Sequence, residues 1–174
     1  MAKRKKPASR PPRPADQGAP QLYTLVVFLR SGPINEKFAK KNPVISRTIQ
    51  IRGDQTLEQF HHAIFEAFDR WDEHLYEFQF GKGMMDPKGL RYSLASVFAN
   101  ELNGSNPPAG RVDQTTIASL KLKVGRSFGY WFDFGDDWWH QVDLEAIEDN
   151  PPEGKFPHVI ERVGKSPPQY PEAD

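Results

Sequence analysis

The sequence predicts an α+β fold in which one long helix packs across a mainly antiparallel or mixed sheet. Two observations lead to this prediction. Short β-branched and aromatic runs separated by turn residues recur along the chain, whereas one long segment, from Leu57 to about Trp71, repeats its apolar residues at helical spacing. Strands joined by tight turns favour antiparallel pairing, and an amphipathic helix needs an apolar surface to cover, so both belong to one core.

The first half of the chain predicts the element order β-β-α-β. Residues 22–30 form an apolar run typical of a buried strand, and residues 44–52 alternate as in a half-buried strand paired to it. Thr56 and Gln59 make the capping-box pattern that starts the helix. Residues 75–80 predict the next strand, and this order resembles the opening of a β-grasp. The predicted apolar stripe of the helix comprises Leu57, Phe60, Ile64, Ala67, Phe68 and Trp71.

The second half of the chain predicts a short second helix and a C-terminal β-hairpin. Residues 81–115 are poorly periodic and predict a docked loop, and residues 116–120 predict the short helix. Residues 128–134 and 138–145 are aromatic and apolar runs around a Gly-Asp-Asp turn, which predicts the hairpin, and residues 157–163 are expected to be extended. The return strand should direct one set of side chains to the core: Trp138, His140, Val142 and Leu144. Its other face should carry Trp139, Gln141, Asp143 and Glu145.

Charge and proline content divide the chain into three parts. Residues 1–20 are Pro-rich and hold six cations against Asp16 alone, so we expect a disordered basic arm. Residues 21–166 are expected to form a single domain, and residues 167–174 a Pro-rich tail. The chain has no net charge, with 23 Lys and Arg and 23 Asp and Glu, so residues 21–174 carry 17 basic and 22 acidic residues. A basic arm on an acidic body bears on partners rather than on the fold.

Composition excludes several classes of function. The chain has no Cys, which rules out disulfide scaffolds, thiolate zinc sites, iron–sulfur clusters and cysteine nucleophiles. The apolar run at residues 22–29 is far shorter than the roughly 20 residues that span a bilayer. Prolines interrupt the segment where a signal peptide would need an apolar stretch. We therefore expect a cytoplasmic protein without a membrane partner.

The acidic hairpin is the sharpest candidate for chemistry. Converging carboxylates could hold Mg²⁺ or Mn²⁺, which prefer oxygen ligands. Asp133 and Asp136 flank a Phe-Gly step, however, where Asp side chains bond backbone N–H groups and Gly135 accepts a positive φ. Strand alternation also separates His140 from the acids that follow it. The pattern favours a structural turn over a metal site. The residues concerned are Asp133, Asp136, Asp137, His140, Asp143 and Glu145.

The histidines and the known catalytic motifs give no further site. His61 falls within the apolar arc of the helix, where a buried, hydrogen-bonded imidazole is common, and His62 can pair with Glu66 at i, i+4. The five histidines lack zinc-site spacing, and neither H-E-x-x-H, G-x-S-x-G nor a phosphate-binding glycine loop occurs. From these residues we expect no catalytic group, no metal and no cofactor.

The hairpin resembles the signature of the plasmid pRiA4b ORF-3-like family. That signature is an aromatic strand, then D-[FY]-G-D-x-W-x-H, then an apolar strand ending in Glu. The residues that match are Tyr130, Asp133, Gly135, Asp136, Asp137, Trp138, His140 and Glu145. The family motifs T-L-x-x-[FL]-H-x-x-I at residues 56–64 and T-I-A-S-L at residues 116–120 agree in order, and the resemblance covers residues 21–170. It implies an α+β domain of unknown activity associated with plasmids and mobile elements.

The sequence therefore favours a small non-enzymatic binding module that presents its aromatic and acidic hairpin to a partner protein. One alternative is a divalent-metal-dependent hydrolase or nuclease that uses Asp133, Asp136, Asp137 and His140. A second is a DNA-binding accessory protein whose basic arm contacts phosphates. The cations of that arm are Lys3, Arg4, Lys5, Lys6, Arg10 and Arg13. The oligomeric state and any substrate stay open.

Overall fold

The computed structural model describes residues 20–172, so the six cations of the predicted basic arm lie outside the described residues. The strands are β1 (Leu22–Ser31), β2 (Ser46–Arg52), β3 (Tyr76–Phe80), β4 (Leu90–Ser93), β5 (Gly110–Arg111), β6 (Ser127–Phe132), β7 (Trp138–Glu148) and β8 (His158–Val163). The helices are α1 (Glu36–Lys41), α2 (Leu57–Ala67) and α3 (Ala95–Glu101), and a 3₁₀ turn spans Ala118–Leu120.

The strands form one eight-stranded sheet in the order β5-β4-β3-β6-β7-β1-β2-β8. All neighbouring strands pair antiparallel except β4 and β5, which pair parallel. The predicted α+β class and mainly antiparallel, mixed sheet are therefore confirmed. The β-grasp-like opening is not confirmed, because the central strands β6, β7 and β1 are antiparallel throughout. None of the helices in residues 20–172 has the length and apolarity needed to cross a bilayer.

Helix α2 starts where its cap predicts and ends earlier than its apolar spacing predicts. The Gln59 N–H donates to Thr56 Oγ1 at 3.2 Å, and the Thr56 N–H donates to Gln59 Oε1 at 2.8 Å, which completes the capping box. At the other end Asp69 adopts a left-handed φ of 55°, and the Arg70 N–H reaches back to the Phe65 carbonyl at 3.1 Å. This is a Schellman motif with Asp in the usual glycine position.

The extension of the helix to Trp71 is therefore wrong, and the helix has 11 residues. Because the chain reverses at Asp69, Trp71 leaves the apolar stripe and is 72% exposed, packing edge-on against Tyr170. The residue turned inward instead is Arg70. A charged side chain thus occupies a core position near the end of α2.

Residues 81–115 contain regular structure where the sequence predicts a loop. Strand β4, helix α3 and strand β5 have four, seven and two residues, which is too few to reveal a period. Helix α1 was also not predicted; Asn35 caps it by accepting from the Phe38 N–H at 2.8 Å. The predicted short helix at residues 116–120 is a 3₁₀ turn, and Thr116 accepts from the Ser119 N–H at 3.3 Å.

The C-terminal hairpin has the predicted strands and faces. In β6 and β7, Tyr130 lies opposite His140 and Trp131 opposite Trp139. Trp138 is buried in the main core, whereas Trp139 stacks on Trp131 at 4.9 Å outside the core cluster. The two adjacent tryptophans therefore lie on opposite faces of the sheet, as alternation requires.

The hairpin turn differs from the prediction at its glycine. Asp133 and Asp137 hold the left-handed φ values, 59° and 56°, and Gly135 does not. The Asp133 carboxylate accepts from the N–H groups of Gly135 and Asp136 at 3.1 and 3.2 Å, so its predicted role in the turn is confirmed. Short Asp side chains that bond the local backbone tolerate this conformation, which explains why glycine is not needed there.

Gly129 in β6 allows the connection between β3 and β4 to cross the sheet. A Cβ at this position would overlap the Met84 carbonyl, a backbone group that cannot turn away. We expect Gly129→Ala to lower the free energy of unfolding by about 2–3 kcal/mol, because overpacking forces the backbone to shift. Urea unfolding measures this change. Gly83→Ala is the control, since its Cβ would meet no atom within 4 Å, and equal losses in the two variants would contradict the expectation.

Candidate functional site

Four of the eight residues of the predicted hairpin surface are internal. Tyr130, Trp138 and His140 are fully buried, and Asp133 is buried in the turn. These four side chains therefore lie in the core or the turn. The remaining signature residues are more accessible: Gly135, Asp136, Asp137 and Glu145. This placement follows from alternation, because the inward positions of β6 and β7 face the core beneath α2.

The buried signature residues form a polar network with α2. His61 Nδ1 lies 2.6 Å from the Tyr130 hydroxyl, and the Tyr130 carbonyl accepts from His140 Nδ1 at 3.1 Å. Arg70 Nη2 donates to His140 Nε2 at 3.1 Å. The histidine of the helix motif and the tyrosine of the hairpin motif, far apart in sequence, therefore meet in one hydrogen bond.

Arg70 carries a positive charge inside this network. Its guanidinium lies over the rings of Phe132 and Trp138, at 4.7 and 4.8 Å from their centroids. Within residues 20–172 no carboxylate forms a salt bridge with it, and burial lowers the pKa of Arg70 to about 10. The group stays charged at neutral pH and is stabilised by the aromatic faces.

The neutral form of His140 follows from this arrangement. Burial lowers the pKa of His140 well below its usual value, and the neighbouring charge of Arg70 lowers it further. Its Nδ1–H donates to a carbonyl while Nε2 accepts from Arg70, so both ring nitrogens are satisfied without a second proton. His140 is therefore a structural acceptor for a buried cation.

Two histidines of α2 meet a carboxylate from the α2–β3 connection. His61 Nε2 lies 3.1 Å from Glu73 Oε2, and His62 Nδ1 lies 3.7 Å from Glu73 Oε1. One ligand atom from each residue lies within 4.8 Å of the other two. His61 is buried, whereas the side chains of His62 and Glu73 are 58% and 52% exposed. Glu73, and not the predicted Glu66, is thus the carboxylate beside His62.

The charges of this cluster suit metal binding once the proton of His61 moves from Nε2, where it bonds Glu73, to Nδ1, where it can bond the Tyr130 hydroxyl. Burial lowers the pKa of His61, and the hydrogen bond from His61 lowers the pKa of Glu73. A neutral imidazole and an ionised carboxylate are the forms that bind metals. The His61 ring is also held from behind, since Tyr76 stacks on it at 3.6 Å and the Tyr130 hydroxyl pairs with Nδ1. Such outer contacts fix the orientation of a ligating imidazole.

The cluster lines an open cleft of about 600 Å³. The lining residues are Glu58, His61, His62, Glu73, His74, Leu75, Tyr76 and Leu94. The Tyr76 hydroxyl is buried and has no hydrogen-bond partner in the described part of the chain. His74 Nε2 lies 2.7 Å from the Tyr170 hydroxyl and 3.5 Å from the Asp133 carboxylate, so it bridges the cleft to the hairpin turn.

The acids proposed as ligands in the hairpin do not assemble. Asp133 caps the turn, Asp137 accepts from Trp131 Nε1 at 2.9 Å, and His140 is enclosed beside Arg70. Among the described residues the group with metal-ligand geometry is His61, His62 and Glu73. Sequence reasoning missed it because Glu73 belongs to no motif. The available signal was the pair of adjacent histidines followed by Asp72-Glu73-His74.

Comparison with known proteins gives a family and a fold. The family model described as plasmid pRiA4b ORF-3-like protein matches residues 34–170. The uncharacterized protein y4hQ of Sinorhizobium fredii is 26% identical over 132 residues, which cover 73% of this chain and 59% of that relative's length. A protein of unknown function from Methanosarcina mazei, MM3350, superposes with a TM-score of 0.60 at 22% identity, covering 82% of this chain and 70% of its own. This last likeness concerns the fold alone.

The burial of His140 predicts how the free energy of unfolding depends on pH. Its folded-state pKa lies below the unfolded value near 6.5, so below that pH the unfolded chain binds a proton that the folded chain does not. The stability that neutral His140 provides is present above pH 6.5 and is lost as the pH falls. We expect His140→Gln to reduce the slope of unfolding free energy against pH, between pH 5 and 6.5, by up to about 1.4 kcal/mol per unit.

Urea unfolding at several pH values measures this slope. His158→Gln is the control, because His158 is exposed. An unchanged slope in His140→Gln would contradict the assignment of a neutral, buried imidazole.

Proposed function

The chain belongs to the plasmid pRiA4b ORF-3-like family, and from this premise we propose that it is a binding module that holds a divalent transition-metal ion at His61, His62 and Glu73. The observation that carries the proposal is the mutual approach of three ligand atoms, one of them on a buried imidazole whose ring is held by Tyr76 and Tyr130. A side chain already fixed in the core loses little further freedom on binding a metal.

The donor set favours zinc or another late first-row metal. Two imidazoles and one carboxylate form the three-ligand set of many open zinc sites, whereas Mg²⁺ and Ca²⁺ prefer oxygen ligands alone. A tetrahedral zinc ion with bonds of about 2.0–2.1 Å separates its ligand atoms by about 3.3–3.5 Å. One ligand atom from each of the three residues lies within 4.8 Å of the other two, so small side-chain movements would bring the three atoms to that spacing.

The cleft leaves the fourth coordination position open to water or to a donor from a ligand. A binding module would take that donor, a carboxylate or phosphate oxygen, from its partner. The proposed partner surface is therefore the cleft rim, with Leu75 and Leu94 as its apolar contacts, and not the hairpin face. Nucleic-acid binding through the basic arm depends on residues outside 20–172 and stays a prediction from the sequence.

A second candidate function is metal-dependent hydrolysis in the same cleft. It is favoured by His74, an additional imidazole that lines the cleft beside Asp133 and could move a proton to or from a metal-bound water. Turnover of 4-nitrophenyl acetate or 4-nitrophenyl phosphate in the presence of Zn²⁺, lost in His74→Gln while zinc still binds, would support it. Zinc binding without turnover would contradict hydrolysis and agree with the binding module.

Isothermal titration of the full chain with Zn²⁺ tests the proposal. We expect one ion per chain, little heat with Mg²⁺, and a loss of zinc affinity of at least tenfold in His62→Gln and in Glu73→Gln, because each removes one ligand. Both side chains are more than half exposed, so the fold should tolerate the changes.

Two controls separate this site from the acidic hairpin. Glu145→Gln removes an exposed carboxylate outside the cleft and should leave zinc affinity unchanged. Asp136→Asn should also have no effect. Loss of zinc binding in Asp136→Asn with full binding in Glu73→Gln would overturn the proposal and assign the metal site to the hairpin.

A further inference from the structure

A second pocket, of about 330 Å³, lies between strands β3 and β4 and the segment that follows the 3₁₀ turn. Its lining residues are Phe80, Leu90, Tyr92, Leu120, Lys121, Leu122, Lys123 and Arg126. It shares no lining residue with the histidine cleft. An inference about this pocket is therefore independent of the metal site.

The pocket has an ordered aromatic wall. Phe80 stacks on Phe128 at 4.4 Å and meets Tyr92 edge-on at 5.5 Å, so its ring is fixed from two sides. Leu90, at the rim, is 59% exposed although it is a large apolar residue of a strand. Small-molecule pockets are typically preformed and lined by such apolar and aromatic side chains.

Three cations of one segment line the pocket beside its apolar wall. Lys121, Lys123 and Arg126 form no salt bridge within the described range, whereas the nearby Arg91 and Arg111 each bind carboxylates, at 2.6 to 3.0 Å. Within residues 20–172 these three cations thus lack a salt-bridge partner, on a body with 22 acidic against 17 basic residues over positions 21–174. An anionic group fits here, since unpaired cations beside an apolar surface attract one.

We propose that this pocket binds a small amphipathic carboxylate, with an aromatic or short aliphatic body against Phe80, Tyr92 and Leu122 and its carboxylate at Lys121, Lys123 or Arg126. The volume is at the lower end of the roughly 300–1,000 Å³ typical of ligand sites, which suits a body of one or two rings. Charge-assisted hydrogen bonds from Lys or Arg would hold the carboxylate, and burial of the apolar body would add affinity.

Titration of the full chain with 2-naphthoate, followed by amide chemical shifts, tests this proposal. The neutral isostere 2-naphthylmethanol is the matched ligand. We expect 2-naphthoate to bind at least tenfold more tightly, with the largest shifts on β4 and on residues 120–126. The combined variant Lys121→Gln, Lys123→Gln, Arg126→Gln should abolish that preference and leave the affinity for the alcohol unchanged.

A second variant and a control complete the design. Leu90→Glu places a negative charge at the exposed rim and should weaken 2-naphthoate binding at least tenfold. Lys41→Gln removes an exposed cation on α1 and should have no effect. The proposal is overturned if neither compound binds, if both bind equally, or if the shifts map outside the pocket.

Discussion

The hydrogen bond between His61 Nδ1 and the Tyr130 hydroxyl is the contact on which the rest of the site depends. It joins α2 to the centre of the sheet inside the core, where an unpaired donor or acceptor would cost about 1–3 kcal/mol. The helix cannot slide or rotate on the sheet without breaking this bond. Because both partners are buried, no water would replace it. The same bond turns His61 Nε2 toward Glu73 at the cleft, so a packing constraint also sets the direction of a candidate ligand.

Residues of the hairpin signature contact the buried guanidinium of Arg70. The left-handed turn at Asp69 directs Arg70 into the core, where Phe132 and Trp138 face its charge and His140 accepts its hydrogen bond. The aromatic and histidine positions of the signature therefore enclose a cation and support the wall of the cleft from within. The hairpin thus supports the proposed site from within, and the exposed side chains of that site are His62 and Glu73.

The features that were predicted correctly from the sequence are those that depend on local patterns. The capping box at Thr56 follows from its sequence motif, and the inward-facing residues of β7 follow from period-two alternation. Both are confirmed. The helix end was missed because the left-handed residue is Asp69, which carries no glycine signal. Strands β4 and β5 are too short to show a period. The His61–Glu73 contact was missed because it depends on how the chain reverses after α2, which sequence spacing does not reveal.

Anomalous diffraction at the zinc absorption edge, from crystals of the full chain grown with one equivalent of Zn²⁺, tests the central claim most directly. The account predicts one peak about 2.0–2.1 Å from His61 Nε2 and His62 Nδ1 and about 2.0–2.2 Å from a Glu73 oxygen. A peak at the Asp133–Asp137 turn, or His61 Nε2 still bonded to Glu73 with no peak between them, would contradict it.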